Sequence, residues 1–246
     1  MFFIALESTL ISGHFKEQEV WDEIRDCIDA ARAVLVMRNR VGVLGHYYCG
    51  MLDIYSDMTQ QSAVFGNHFE SLEMYKMHAL WKAVTPLEIE AKLEEFHREF
   101  DVSQECSKAE LKYAAQTSCT IDAMITKYRL GSLAYYYERQ PSNPHENIIT
   151  SVIAGNTLLT TKHTPMAGEC DIKNVQAMKL MDSLGASGSF SELYLTDFNK
   201  DLIFFEHDGP AHIAIAEGRV SLVHYPFITV SQEKDYQFKW LSSRVQ

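Results

Sequence analysis

The stretch SLGASGSFSELYLTDFNKDLIFFEHDG, residues 183–209, is where the pattern of the chain changes. Its glycines close a helix and open a strand, which accounts for LGASGS without a phosphate loop. Phe190 to Phe198 reads as one strand, Asn199-Lys200-Asp201 as a turn, and Leu202–Phe205 as the returning strand of a hairpin. Yet Glu192 lies inside the first strand, and the second ends on Glu206-His207-Asp208-Gly209-Pro210. A core hairpin that carries a carboxylate and an imidazole needs a reason.

Upstream of it, helices alternate with short apolar strands. Residues 172–184 and 146–160 read as helices, and the turn-rich RQPSNPHEN separates the second from a strand at 130–138. Ser107 with Glu110 three places on opens a helix over 107–129, the capping-box spacing. Pro86 behind Thr85 starts another over 86–100. QSAVFGNHFE turns into a helix through 70–83, and RVGVLG (40–45) is a short buried strand. Val20, Ile24, Cys27, Ile28, Ala31 and Val34 set a helical period over 16–39. Downstream of the hairpin, strands are expected at 211–216 and 219–224. Alternation to about residue 185 followed by consecutive strands specifies an α/β domain and then the start of a β-rich one.

The 246 residues suffice for a substantial core, and 46% hydrophobic with 22% charged residues is a globular composition. A net charge of −11 argues against nucleic acid as a partner, because phosphate contacts need a basic surface. The apolar start MFFIALESTLIS has no basic segment before it and contains Glu7, so it makes a poor signal peptide. It is also too short to span a bilayer, so no membrane partner is expected. Five scattered cysteines without a CxxC pair read as reduced thiols of a cytoplasmic protein.

Taken singly, the polar residues of interest have plain readings. Glu192 fits a solvated strand face, His207 a capping or surface histidine, and Glu169 in PMAGECDIKN a loop acid before a helix. Together they read differently. A helix over 172–184 returns the chain to the end of the structure where Glu169 lies, and a hairpin brings 192 and 207 close. Two carboxylates and one imidazole suit Mn²⁺ or a similar divalent ion, and the absence of thiolates argues against structural zinc. A glycosidase pair built from Glu169 and Glu192 rests on nothing beyond the two acids.

MAGECDIKNVQAMKLMDSLGASGSFSELY and FFEHDG resemble the metal-binding core of the L-arabinose isomerase and L-fucose isomerase superfamily. RVGVLGHYYCGMLDIYSDMTQQ resembles the strand and turn that open the middle domain of such enzymes, and GSLAYYYE the strand whose aromatic end lines their sugar pocket. The likeness covers roughly residues 15–223. It implies a Rossmann-like (flavodoxin-like) middle domain of a sugar isomerase followed by the start of a β-rich C-terminal domain. It also implies Glu169, Glu192 and His207 as metal ligands, Glu169 and Glu192 as acid and base, and Tyr137 as a substrate-lining residue. The implied chemistry is aldose–ketose isomerisation of a monosaccharide through an ene-diol, with Mn²⁺ or another divalent metal and a homo-oligomer in full-length relatives.

Members of that superfamily are much longer, and their fourth ligand, a histidine near the far C-terminus, has no counterpart here; His212 and His224 lie outside its motif. The resemblance therefore divides the chain into the end of an N-terminal α/β domain (1–39), the middle domain (40–185), the start of the β-rich domain (186–226) and a tail (227–246). The tail, FITVSQEKDYQFKWLSSRVQ, alternates poorly and lacks glycine. It reads as a frameshifted or unrelated segment, since one choice of codons read out of frame yields a glycine-containing, alternating peptide like the superfamily's continuation. The expectation is thus a truncated chain of weak or no activity. The alternative is a non-catalytic α/β module that binds a sugar or a partner.

Overall fold

The computed structural model describes residues 10–34, 38–137, 143–207, 210–228 and 234–239. Among them the protein is α/β, built on a parallel sheet. Strand β1 (Arg40–Gly45) lies between β2 (His68–Leu72) and β4 (Ser132–Tyr136), and β5 (Met166–Ala167) extends the sheet beyond β4. β1 buries Val41, Val43 and Leu44, the pattern of a strand covered on both faces. Alternation sends Val41 and Val43 to one side, against Ile172, Val175 and Met178 of helix α8 (Ile172–Ser183). Leu44 goes to the other, against Met77 of α3 (Met74–Ala83) and Ile121 and Met124 of α5 (Lys108–Tyr128).

Local signals set the helix ends. Thr85 and Glu88 exchange the two bonds of a capping box at α4 (Pro86–Glu99), and Ser107 with Glu110 does the same at α5. Helix α1 covers Gln18–Val34. A further layer packs α4, α5 and α7 (Ile153–Thr161) on Val220 and Leu222. There β3 (Asp101–Val102) runs parallel to β8 (Ser221–Ile228), which pairs antiparallel with β9 (Lys234–Lys239). The buried Lys92 of α4 reaches Glu95 at 2.6 Å and Asp122 of α5 at 2.7 Å, so an ion pair ties these helices together. The hairpin is β6 (Glu192–Asp197) with β7 (Leu202–Glu206), antiparallel and bulged between Leu193 and Leu195.

Several elements differ from the sequence reading, each for a physical reason. The segment before 83 holds α2 (Met58–Phe65), strand β2 and α3 rather than one helix through 70–83. Asp57 caps α2 through the amides of Thr59 and Gln60, and Gly66 ends it in the left-handed region at φ 69°. β2 is an edge strand that buries only Leu72, so it has no apolar run to announce it. The helix expected over 146–160 is broken into α6 (Glu146–Ile149) and α7. The Thr150 hydroxyl donates to Glu146 O at 2.9 Å and that of Ser151 to Asn147 O, taking up carbonyls at the break. No strand forms at 211–216. The hydroxyls of Thr157 and Thr161 accept from the amides of Ala211 and Ile213, bonds a β ladder would otherwise make, and 213–215 is a 3-10 turn. The frameshift expectation for 227–246 falls largely outside the described residues, where only the backbone of β9 and the end of β8 is given.

Candidate metal centre

The carboxyl ends of the parallel strands carry the site. The chain runs from β1 towards β2 on one side while β4 lies on the other, so the order reverses between β1 and β4, the place where open α/β sheets bind ligands. The turn after β5 stands beside that point. It is Gly168-Glu169-Cys170-Asp171, in which Glu169 (φ 56°) and Cys170 (φ 61°) are both left-handed although neither is glycine. Three backbone bonds hold them there. Tyr48 N donates to Glu169 O at 3.1 Å, Cys170 N to Tyr135 O at 3.0 Å, and Asp171 N to Gly168 O at 3.0 Å. The Asp171 side chain then caps α8 through Asn174 N, and Asn174 Nδ2 donates to Ser191 O at 3.3 Å, fastening the helix beside the start of β6.

Three separate elements deliver the donors. Glu169 comes from the turn, Glu192 from the first residue of β6, and His207 from the residue after β7. One ligand atom of each lies within 4.8 Å of the others, and all three side chains are partly buried. Phe190, itself buried, meets the His207 ring edge-on at 4.1 Å between centroids. Gly168 backs the pair, since a Cβ there would stand 3.3 Å from Phe190 Cε1 and 3.7 Å from His207 Cε1.

The electrostatics are those of a group that could hold a cation or a proton. Burial, the facing Glu192 carboxyl, and then Asp171 and Asp53 push Glu169 up to about 7. Its Oε2 is buried and accepts no hydrogen bond, a cost that a bound positive ion would remove. Two carboxylate oxygens and an imidazole nitrogen fit a hard or borderline divalent ion such as Mn²⁺. The adjacent Cys170 thiol is buried, with Asp171 beside it, and pushed up to about 12, so it supplies no thiolate.

Tyr137 follows β4 and packs on the α3–α5 side of the sheet, meeting His145 edge-on at 5.9 Å. Its neighbour Tyr136 faces the other way, packed with the group that contains Cys170 and Phe190. There it meets Tyr48 at 5.1 Å and His46 at 5.4 Å. Those three aromatic residues, absent from the sequence reading as site residues, border the Glu169 turn. Their signal was positional: each stands at or just beyond the carboxyl end of β1 or β4, the strands flanking the reversal of order.

No protein-family model matches the chain, and no curated protein is significantly similar to it. Among the described residues no helix is long and apolar enough to cross a membrane.

Proposed function

We propose that the chain carries the divalent-metal site of an aldose–ketose isomerase of the arabinose- and fucose-isomerase type. The carrying observation is the convergence of Glu169, Glu192 and His207 from three elements at the carboxyl end of the parallel sheet. The order β2-β1-β4-β5 supports the finer reading of a Rossmann-like, flavodoxin-like middle domain, with the β6–β7 hairpin opening a β-rich one. The imidazole of His207 joins the two carboxylates within 4.8 Å, a third donor that a glycosidase pair does not need, which favours shared ligation over glycoside hydrolysis.

Glu169, Glu192 and His207 would hold Mn²⁺ or a similar ion. Such an ion, when bound, polarises the sugar carbonyl and offsets negative charge on its oxygens. The glutamates handle the proton. Glu169 can take the proton from C2 of an aldose and return it to C1, while the hydroxyl proton of O2 passes to O1. Glu192 faces Glu169 and serves as the second acid/base group. Tyr48 and Tyr136 wall one side with aromatic surface and limit water at the reacting carbons.

Calorimetric titration of Mn²⁺ into the chain, with Glu192→Ala and His207→Ala as comparisons, tests the site. Binding lost in both variants is expected, and no binding to the wild type would sink the reading. A ketose assay with L-arabinose or L-fucose then separates enzyme from binding module. Slow metal-dependent turnover abolished by Glu192→Ala supports the isomerase, whereas metal binding without any ketose supports the non-catalytic module.

A further inference from the structure

A pair of histidines stands apart from the Glu169 turn, on the α3–α5 side of the sheet. His78 belongs to α3, and His145 is the residue before α6. Their rings lie 4.8 Å apart between centroids and are turned 85° to each other. His145 Nδ1 is buried and has no hydrogen-bond partner. Tyr137 meets the His145 ring edge-on at 5.9 Å, and Trp81 lies 6.4 Å from His78.

We propose that His78 and His145 form a second metal site, in which two imidazole nitrogens hold a borderline divalent ion such as Cu²⁺ or Zn²⁺ and water fills its remaining positions. The spacing carries this. An ion sits ~2.0–2.1 Å from an imidazole nitrogen, and the ring centre lies about 1.2 Å behind that nitrogen. Two such rings at the ~90–110° angles of square or tetrahedral coordination therefore stand roughly 4.5–5.2 Å apart. The observed 4.8 Å falls inside that range, and rings turned to 85° can aim in-plane lone pairs at one point, as stacked rings cannot. The buried, unpartnered nitrogen of His145 carries a cost that an ion would offset. Burial, then Lys82 and His145, hold His78 below the ordinary histidine range, which favours the neutral ring that ligates metals. The donors also differ in kind from those of the first site. Imidazole nitrogens suit Cu²⁺, Ni²⁺ and Zn²⁺, whereas the carboxylates of Glu169 and Glu192 suit Mn²⁺. An ion between the histidines would tie the start of α6 to α3 and steady the ring on which Tyr137 rests. None of this depends on the isomerase reading.

Copper titration of the full chain, followed by electron paramagnetic resonance, tests the site. His207→Ala is the reference, because it leaves the first site without an imidazole. Its copper signal should show hyperfine structure from two ring nitrogens. Adding His78→Gln or His145→Gln should remove that pattern and weaken Cu²⁺ binding about tenfold or more, whereas adding His68→Gln, at an exposed histidine of β2, should change neither. The wild type gives a reading without substitution: in protein with ¹⁵N-labelled histidine, Zn²⁺ should shift a ring nitrogen of both His78 and His145. Absence of a two-nitrogen copper signal overturns the proposal, as does a signal that survives His78→Gln or His145→Gln. Zn²⁺ shifts that spare these two rings overturn it as well.

Discussion

Replacing Glu169 by Gln should stabilise the metal-free protein at alkaline pH, the reverse of the usual effect of altering a partly buried polar residue. The Glu169 carboxyl is held at about 7 against an ordinary 4.5 by burial and by Glu192. At ~1.4 kcal/mol per pH unit, that gap corresponds to about 3 kcal/mol. The side chain is only half withdrawn from water, and solvent screening brings the figure to about 1–2 kcal/mol. The sign follows from linkage. For an acid raised on folding, the fold favours the neutral form, so the penalty is absent below 4.5, develops between 4.5 and 7, and is complete above 7. Glutamine keeps the shape, carries no charge, and can donate to the facing Glu192 carboxylate. In EDTA, urea unfolding should show Glu169→Gln more stable than wild type by about 1–2 kcal/mol at pH 8, a midpoint shift of roughly 0.5–1 M, and nearly equal to it at pH 4.5. Adding Mn²⁺ should restore the wild type's advantage, because the ion removes the same repulsion. A variant less stable than wild type at pH 8, or an unchanged pH slope between 5 and 8, would refute the reasoning.

The remaining expectations follow from the same geometry. Mn²⁺ affinity should rise about tenfold or more per pH unit on the acid side and level above about pH 7, because the ion displaces the Glu169 proton and needs a neutral His207 ring; titrations at several pH values check it. Gly168→Ala should weaken Mn²⁺ binding by about 10-fold, since the added methyl presses on Phe190, whose ring packs against His207; calorimetry reads it beside an unfolding curve that moves little. Gly155→Ala should cost about 1–3 kcal/mol in denaturant unfolding, because its Cβ would stand 2.9 Å from Ser118 Cα, and backbone cannot step aside. Lys92→Ala should destabilise by about 1–2 kcal/mol at pH 7, measured the same way. Burial alone would lower the Lys92 ammonium's pKa, yet Asp122 and Glu95 raise it; without it the half-exposed Asp122 loses its cation, while Glu95 keeps Lys162.

What could be read beforehand was what repeats or caps. Helices α4 and α5 were legible because Thr85/Glu88 and Ser107/Glu110 are local signals that need no tertiary context. Strand β1 was legible as an apolar run. Strand β2 was not, because an edge position lets His68 and Glu70 sit where a central strand would need apolar residues. Strand β5 is two residues long, too short for any period. The 3-10 turn at 213–215 depends on Thr157 and Thr161, more than fifty residues away in sequence, accepting the backbone donors. The three metal-site donors were legible as residue types at element ends, and the structure brings them together. Tyr48 and Tyr136 were not, because which face of β4 looks onto the Glu169 turn depends on the register of β4 between β1 and β5.

The Glu169 turn itself is the feature furthest from sequence reading, and it has the clearest physical meaning. Neither glutamate nor cysteine favours the left-handed region, and each such residue costs roughly 1–2 kcal/mol. Two in succession persist because the surrounding backbone leaves no alternative: the loop after β1 holds Glu169 O, the end of β4 holds Cys170 N, and Gly168 O holds the amide of Asp171, which caps α8. An ordinary extended turn would break these bonds. The strained turn thus fixes the Glu169 carboxyl beside Glu192, where it is least comfortable as an anion and most useful to a cation. It follows that Tyr48→Pro, which removes the donor to Glu169 O as well as the ring on Tyr136, should weaken Mn²⁺ binding more than Tyr48→Ala, which removes the ring alone. Tyr48→Phe keeps that backbone donor and should bind Mn²⁺ like the wild type. Equal binding by the proline variant in calorimetry would show that the turn holds its shape without the loop after β1.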